Sequence, residues 1–310
     1  MFVKENFYLI IPAFCIVFWA ILCLIQKEFV TMTGDFRVHY NAGRVIHNDP
    51  RKIYDVSGFL YLPSYAVLFS VTISLLPYSL APTVFYIINY IAAVLALIEY
   101  NKILKLMNVK EKNYRFIFLM VISNGFFVYN QFFFNQHKYI LFLILLFILR
   151  RELEFNKYEK IKDLKYYLIN YNLFIFALAI APYFFYLLLI YVFQDISRNE
   201  ILKKKNIQTY CLVAGLFVAQ NFLFILYPEL IFGFIDGLNH PAERNQKLKL
   251  IYLREFVNVS ANTITILGII SNIILFALTI FLIYCKNKFS LIQKFGYFCI
   301  AYVFIGVYAY

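Results

Sequence analysis

Several familiar chemistries are missing from this chain of 310 residues. It has no Gly-x-Gly-x-x-Gly and no Walker loop, so neither common nucleotide cradle is present. It has no His-Glu-x-x-His, and no Asp-x-Asp pair that would hold a metal for a nucleotide sugar. The acids are few and dispersed, so no metal site is expected. The five cysteines, Cys15, Cys23, Cys211, Cys285 and Cys299, all lie in apolar segments without a Cys-x-x-Cys. They read as small apolar side chains, not as a disulfide framework or a metal centre. There is no short-period repeat, no low-complexity tract and no soluble domain. The first apolar run lacks a small-residue cleavage site before its polar end, so it reads as a retained anchor and not a signal peptide.

What is present is apolar surface. Hydrophobic residues make up 63% of the chain, against about 45–50% in soluble domains, and the mean hydropathy is +0.71. Several runs approach the roughly 20 apolar residues that cross a bilayer. They are continuous and not alternating, which excludes a β-barrel. The expected fold is an all-α polytopic membrane protein. The net charge of +12 fits cytoplasmic loops and anionic head groups better than nucleic acid. Membrane lipids are thus expected partners, and no nucleic acid is.

In chain order the runs predict a first span over Phe7–Ile25 and a long polar stretch over Gln26–Tyr61, with a short interfacial helix at Ala42–His47. Leu62–Leu76 is too short to cross and suits a juxtamembrane or re-entrant helix. Pro82–Tyr100 is long enough to cross. Arg115–Leu149 reads as two helices around a polar turn at Asn135–Lys138. Tyr167–Phe193 carries Pro182 in its middle and fits either one kinked helix or two short ones. Ile207–Tyr227, Asn262–Tyr284 and Leu291–Tyr310 complete a bundle of about nine spans. A second long loop covers Pro228–Ser260. The chain forms one integral membrane domain over 1–310, and its stop inside an apolar run is the pattern expected of a shortened chain. With the N-terminus cytoplasmic, every lysine-rich short loop falls inside. The two long loops and the Asn135–Lys138 turn then share the outer face of the cell membrane.

One stretch concentrates chemistry: Gly34-Asp35-Phe36-Arg37-Val38-His39-Tyr40. Charge at a membrane edge is costly unless paired or wet, which marks a candidate site. The other polar groups expected on the outer face are Arg44, His47, Tyr54, Tyr61, Gln136, His137, Lys138, His240 and Arg244. One carboxylate among several cations suits an anionic substrate and a reaction that needs one base. A lipid-phosphate sugar donor fits: cations stabilise the departing phosphate, and Asp35 takes a proton from an acceptor hydroxyl. Arg37, Arg44 and Lys138 are candidate phosphate contacts. The plainer readings are a solvated loop acid for Asp35, a snorkelling Lys138 and a polar turn residue for His137. If the segment is helical, His39 stands one turn from Asp35. A transporter or lipid flippase would place its polar groups at mid-membrane. An inactive structural subunit would tolerate loss of Asp35.

In order and spacing, these residues resemble glycosyltransferase family 87. Asp35-Phe36 through Tyr40 and Ala42 is similar to that family's Asp-Phe pattern after the first helix. Ile53-Tyr54 and Tyr61-Leu62-Pro63 follow, where the family has Tyr-Pro-Pro. Gln136 matches a Gly-Gln-x-Asn helix start, and Ala181-Pro182-Tyr183 stands where the family has Lys-Pro-Tyr. The resemblance implies a GT-C fold and an inverting, metal-independent transfer of a hexose, mannose above all. The donor would be a polyprenyl phosphate sugar, the acceptor lipid-linked or a glycan, and no cofactor would be needed. It also implies that Asp35 is the base. With no lysine before Pro182, the phosphate needs another cation, such as Lys138 or Arg244.

Overall fold

The computed structural model describes residues 14–18, 21, 25, 35–108, 136–159, 162–193, 204–239, 261–285 and 288–305. Every regular element among them is helical, and no strand occurs among the described residues. Residues 14–18 are helical. From there we number α1 Asp35–Asn48, α2 Pro63–Ser70, α3 Ala81–Leu106, α4 Lys138–Lys157, α5 Leu164–Ile180, α6 Phe185–Phe193, α7 Lys204–Gln220, α8 Leu223–Leu226, α9 Glu229–Asn239, α10 Ala261–Tyr284 and α11 Leu291–Ile305. Short 3-10 turns lie at Pro50–Asp55, Ile73–Leu75 and Pro182–Phe184.

Local chemistry sets many of these bounds. Pro63, Pro82 and Pro50 stand in the first turn of α2, α3 and the first 3-10 turn. Proline is pre-set for the helical φ there and has no N–H to leave unpaired. Asp163 caps α5 by accepting from the Tyr166 N–H, and Asp49 caps the 3-10 turn by accepting from the Arg51 N–H. Ala181 is non-helical at φ −145°, ψ 86°. The ring of Pro182 disfavours helical backbone in the residue before it, so α5 ends there.

Several bounds differ from the hydropathy reading. The expected interfacial helix at 42–47 is the second half of α1, because hydropathy cannot see an amphipathic helix. The expected 62–76 helix is broken: α2 has eight residues, about 12 Å at ~1.5 Å per residue, too short to cross a bilayer. α4 runs on through Arg150-Arg151 to Lys157, so a charged stretch read as loop is helix. The expected 228–260 loop opens with α9, and the 207–227 span divides into α7 and α8. Residues 109–135 and 240–260, with the turn and loop calls made there, lie outside the described residues.

The chain forms two compact units, Met1–Ala181 with Asn221–Ile231, and Pro182–Gln220 with Phe232–Tyr310. In the first, α3 packs along α4, α4 against α5, and α2 against both α1 and α5. Direction follows from the pairs made. Glu99 of α3 meets Arg150 of α4, and Lys157 Nζ donates to the Leu106 carbonyl at 3.2 Å. Both pairs join C-terminal turns, so α3 and α4 run in the same direction. α5 runs the opposite way: its first turns meet the end of α4, where Arg151 Nε donates to Asn170 Oδ1 at 2.9 Å. Its last turn accepts a bond from the Leu62 N–H to the Ala179 carbonyl at 3.1 Å.

This unit therefore has a charged end and an opposite end. At the charged end Arg150 joins Glu99 and Glu154, and Lys102 reaches Glu99 at 2.7 Å. Glu152, 2% exposed, accepts from Lys162 and from the Tyr166 hydroxyl. Arg150 is well covered and Lys102 half exposed, so their losses differ. Arg150→Ala is expected to cost about 1–3 kcal/mol by stranding acceptors. Lys102→Ala is expected to cost no more than about 1 kcal/mol. Thermal melts in detergent check the ordering, and equal shifts would refute it.

α3 presents an apolar outer face, and its buried face mixes polar and small residues with Phe85, Tyr86, Leu97, Ile103 and Leu104. It buries Asn89, Ala92, Ala93, Ala96, Glu99 and Asn101, and exposes Ile87, Ile88, Ile91, Leu95 and Ile98. Among the described residues it is the one helix long and apolar enough, by length and composition, to cross a membrane. In the second unit α6 packs on α10 and α11, with the Tyr186 and Phe298 rings 5.6 Å apart. α10 repeats the pattern, burying Ser271, Leu275, Thr279 and Leu282 while exposing Ile269, Ile270, Ile273, Ile274 and Phe276.

Candidate functional site

The candidate residues gather at the end of the first unit opposite its charged end. α1 carries them because its sequence has two faces. Phe36, His39, Tyr40, Ala42 and Gly43 are buried, while Arg37, Arg44 and Asn48 are exposed. The buried face is held to the α2 region by main-chain bonds. The Tyr40 hydroxyl donates to the Leu76 carbonyl at 2.9 Å, and Ser74 Oγ donates to the Tyr40 carbonyl at 2.9 Å. His47 Nε2 lies 2.8 Å from the Ser70 carbonyl and donates to it. Gly43 marks the closest approach: a Cβ there would lie 2.9 Å from the Ser70 amide nitrogen and 2.9 Å from Phe69 Cβ, and would meet Ser74 Oγ.

At the centre, His39 Nε2 and His137 Nδ1 are 3.1 Å apart across 98 residues of sequence. His137 caps the N-terminal end of α4. The rings of Tyr61, Tyr65 and Phe69 surround His39 at 4.7, 5.0 and 5.6 Å between centroids. The Tyr61 ring stands edge-on to His137 at 5.3 Å. Tyr54 locks Tyr61 from behind, its hydroxyl donating to the Tyr61 carbonyl at 3.0 Å. His39, Tyr54, Tyr61 and His137, all singled out in the sequence, thus form one cluster with Tyr65 and Phe69, which were not. With aromatic residues at 21% of the chain, nothing in the sequence distinguished those two rings.

The histidines are packed inside, His39 at 0% and His137 at 6% exposure. Burial, and then repulsion from His137, holds His39 well below its ordinary value. Burial, and then the charge on Lys138, lowers His137 to about 3. Burial also raises the Tyr54 phenol. A base whose folded pKa lies below its unfolded one gives its full stability above the unfolded value, ~6.5, and loses it as pH falls. His137 alone is expected to cost about 2 kcal/mol of stability between pH 6.5 and 5. Melts in detergent at the two pH values check this, and His137→Asn should reduce the difference.

The remaining candidates divide by accessibility. Arg37 and Arg44 share the exposed face of α1, seven residues apart. Gln136 and Lys138 flank His137, both half-buried. Asp35 is the first described residue of α1. Its side chain, like His240 and Arg244, lies outside the described residues. Chemically the arrangement offers a cationic outer face on a rigid helix, opened by an acid and backed by an aromatic wall.

No protein-family model, curated protein or solved structure matches this chain.

Proposed function

We propose that the chain is a polytopic membrane glycosyltransferase of GT-C type, working at the outer face of the cell membrane. The observation that carries this reading is convergence. His39, Tyr54, Tyr61 and His137, chosen from the sequence for one site, meet in one cluster, beneath the helix that Asp35 opens. Two features support the membrane part. α3 and α10 turn Ile and Phe outward, an apolar surface that lipid favours and water opposes. The common direction of α3 and α4 puts Lys102, Arg150 and Arg151 at one end and the histidine cluster at the other, as the positive-inside rule asks of an inside and an outside end.

In the proposed reaction Asp35 accepts the proton of an acceptor hydroxyl. The acceptor oxygen bonds to the sugar C1 as the C1–O bond to the polyprenyl phosphate breaks, and the electron pair leaves with the phosphate. Arg37, Arg44 and Lys138 offset the charge that develops there. The donor is a polyprenyl phosphate hexose, mannose first, and the acceptor is lipid-linked or a glycan.

The test is a donor panel. Membranes carrying the protein, and membranes without it, receive radiolabelled polyprenyl phosphate mannose, glucose or arabinose. The reading expects protein-dependent release of polyprenyl phosphate from mannose above the other two. Absence of release from every donor would reject it.

A further inference from the structure

The histidine pair joins α1 to the start of α4 across 98 residues of sequence. We propose that the His39–His137 contact is an acid-released latch that docks α1 at neutral pH and frees it when the pair takes up protons. The geometry supplies the reason. Four ring nitrogens carry two protons when both residues are neutral, and one of these bridges the 3.1 Å gap. A first added proton goes to an outer nitrogen. On His39 that nitrogen is Nδ1, which is buried and has no hydrogen-bond partner among the described residues. The charge then sits dry among Tyr61, Tyr65 and Phe69, where burial opposes it. A second proton would place two N–H groups face to face and break the bridge.

Charged and titratable groups approach the pair from several elements. From α4, the ammonium of Lys138 repels a charge on His137. The phenols of Tyr61 and Tyr65 contact His39 and His137 from the segment before α2 and from α2 itself. On α1, Asp35 stands one turn before His39 and is the one acid in that helix. The bonds from Tyr40 and Ser74 tie α1 to the α2 region, and they titrate with neither ring. Release is therefore local, an opening of α1 at its α4 side ahead of any loss of α3. Because α1 presents Arg37 and Arg44, acid would also move its cationic face.

The inference stands apart from the proposed catalysis, and its test needs no substrate. Amide hydrogen exchange is followed in nanodiscs between pH 7.5 and 4.5, with each protection factor referred to the intrinsic rate at its own pH. For peptides covering 36–48 the wild type is expected to lose protection at least about tenfold on acidification, while those from α3 stay protected. In His39→Phe/His137→Asn, which keeps a ring in the aromatic pocket and removes both titrating groups, protection of 36–48 should not change with pH. Should that variant fail to fold, His137→Asn alone is expected to reduce the acid loss. A wild type whose 36–48 protection is flat with pH would overturn the latch. So would a variant that keeps the full acid loss.

Discussion

Asp35→Asn is expected to lower the rate of sugar transfer by about 10²- to 10⁴-fold, the range a positioned general base supplies. The substitution keeps size and polarity and removes only the proton acceptor, so the loss should fall on kcat and leave the donor KM nearly unchanged. Kinetics are compared at matched protein level, so a difference in expression does not enter the comparison. Arg37→Ala and Arg44→Ala give the contrast. Their exposed side chains bind donor charge in the ground state as well as the transition state, so each should raise the donor KM. Kinetics at matched protein level in membranes checks both. A kcat unchanged in Asp35→Asn removes the base from the mechanism.

Gly43→Val is expected to undock α1 and destabilise the first unit by about 3 kcal/mol or more, at the upper end of overpacking costs. Little can give way at this site. The atoms a side chain would meet include the backbone nitrogen of Ser70 and the Cβ of Phe69, both at 2.9 Å, and neither swings aside as a flexible side-chain end would. Yielding there also disturbs the bonds from His47 to Ser70 and from Ser74 to Tyr40, so the cost spreads along the helix. Gly215, around whose Cβ position nothing lies within 4 Å, is the control: Gly215→Ala is expected to be neutral or slightly stabilising through helix propensity. Detergent melts of the two variants decide it, and equal behaviour would refute the close approach.

The two variants also show which features the sequence exposes and which it hides. Long apolar runs announce long helices, and α3 and α10 lie close to where hydropathy puts them. α1 is hidden from that measure, since it alternates buried residues such as Phe36, His39 and Gly43 with exposed ones such as Arg37 and Arg44. Arg150 looks like the end of a span because charge counting sees a charge and not its partners, and the structure gives it Glu99 and Glu154. In the cluster, His39 and His137 are visible because the chain has only four histidines. Tyr65 and Phe69 are invisible among many like them. Sequence also cannot report that the two histidines face each other, since 98 residues separate them. Nor can it report that both are buried.

The most direct measurement is transfer of radiolabelled sugar from polyprenyl phosphate mannose in sealed membranes carrying either the wild type or Asp35→Asn at equal expression. The account predicts transfer to an outer-face acceptor by the wild type and its loss in the variant. Equal transfer by both would contradict it.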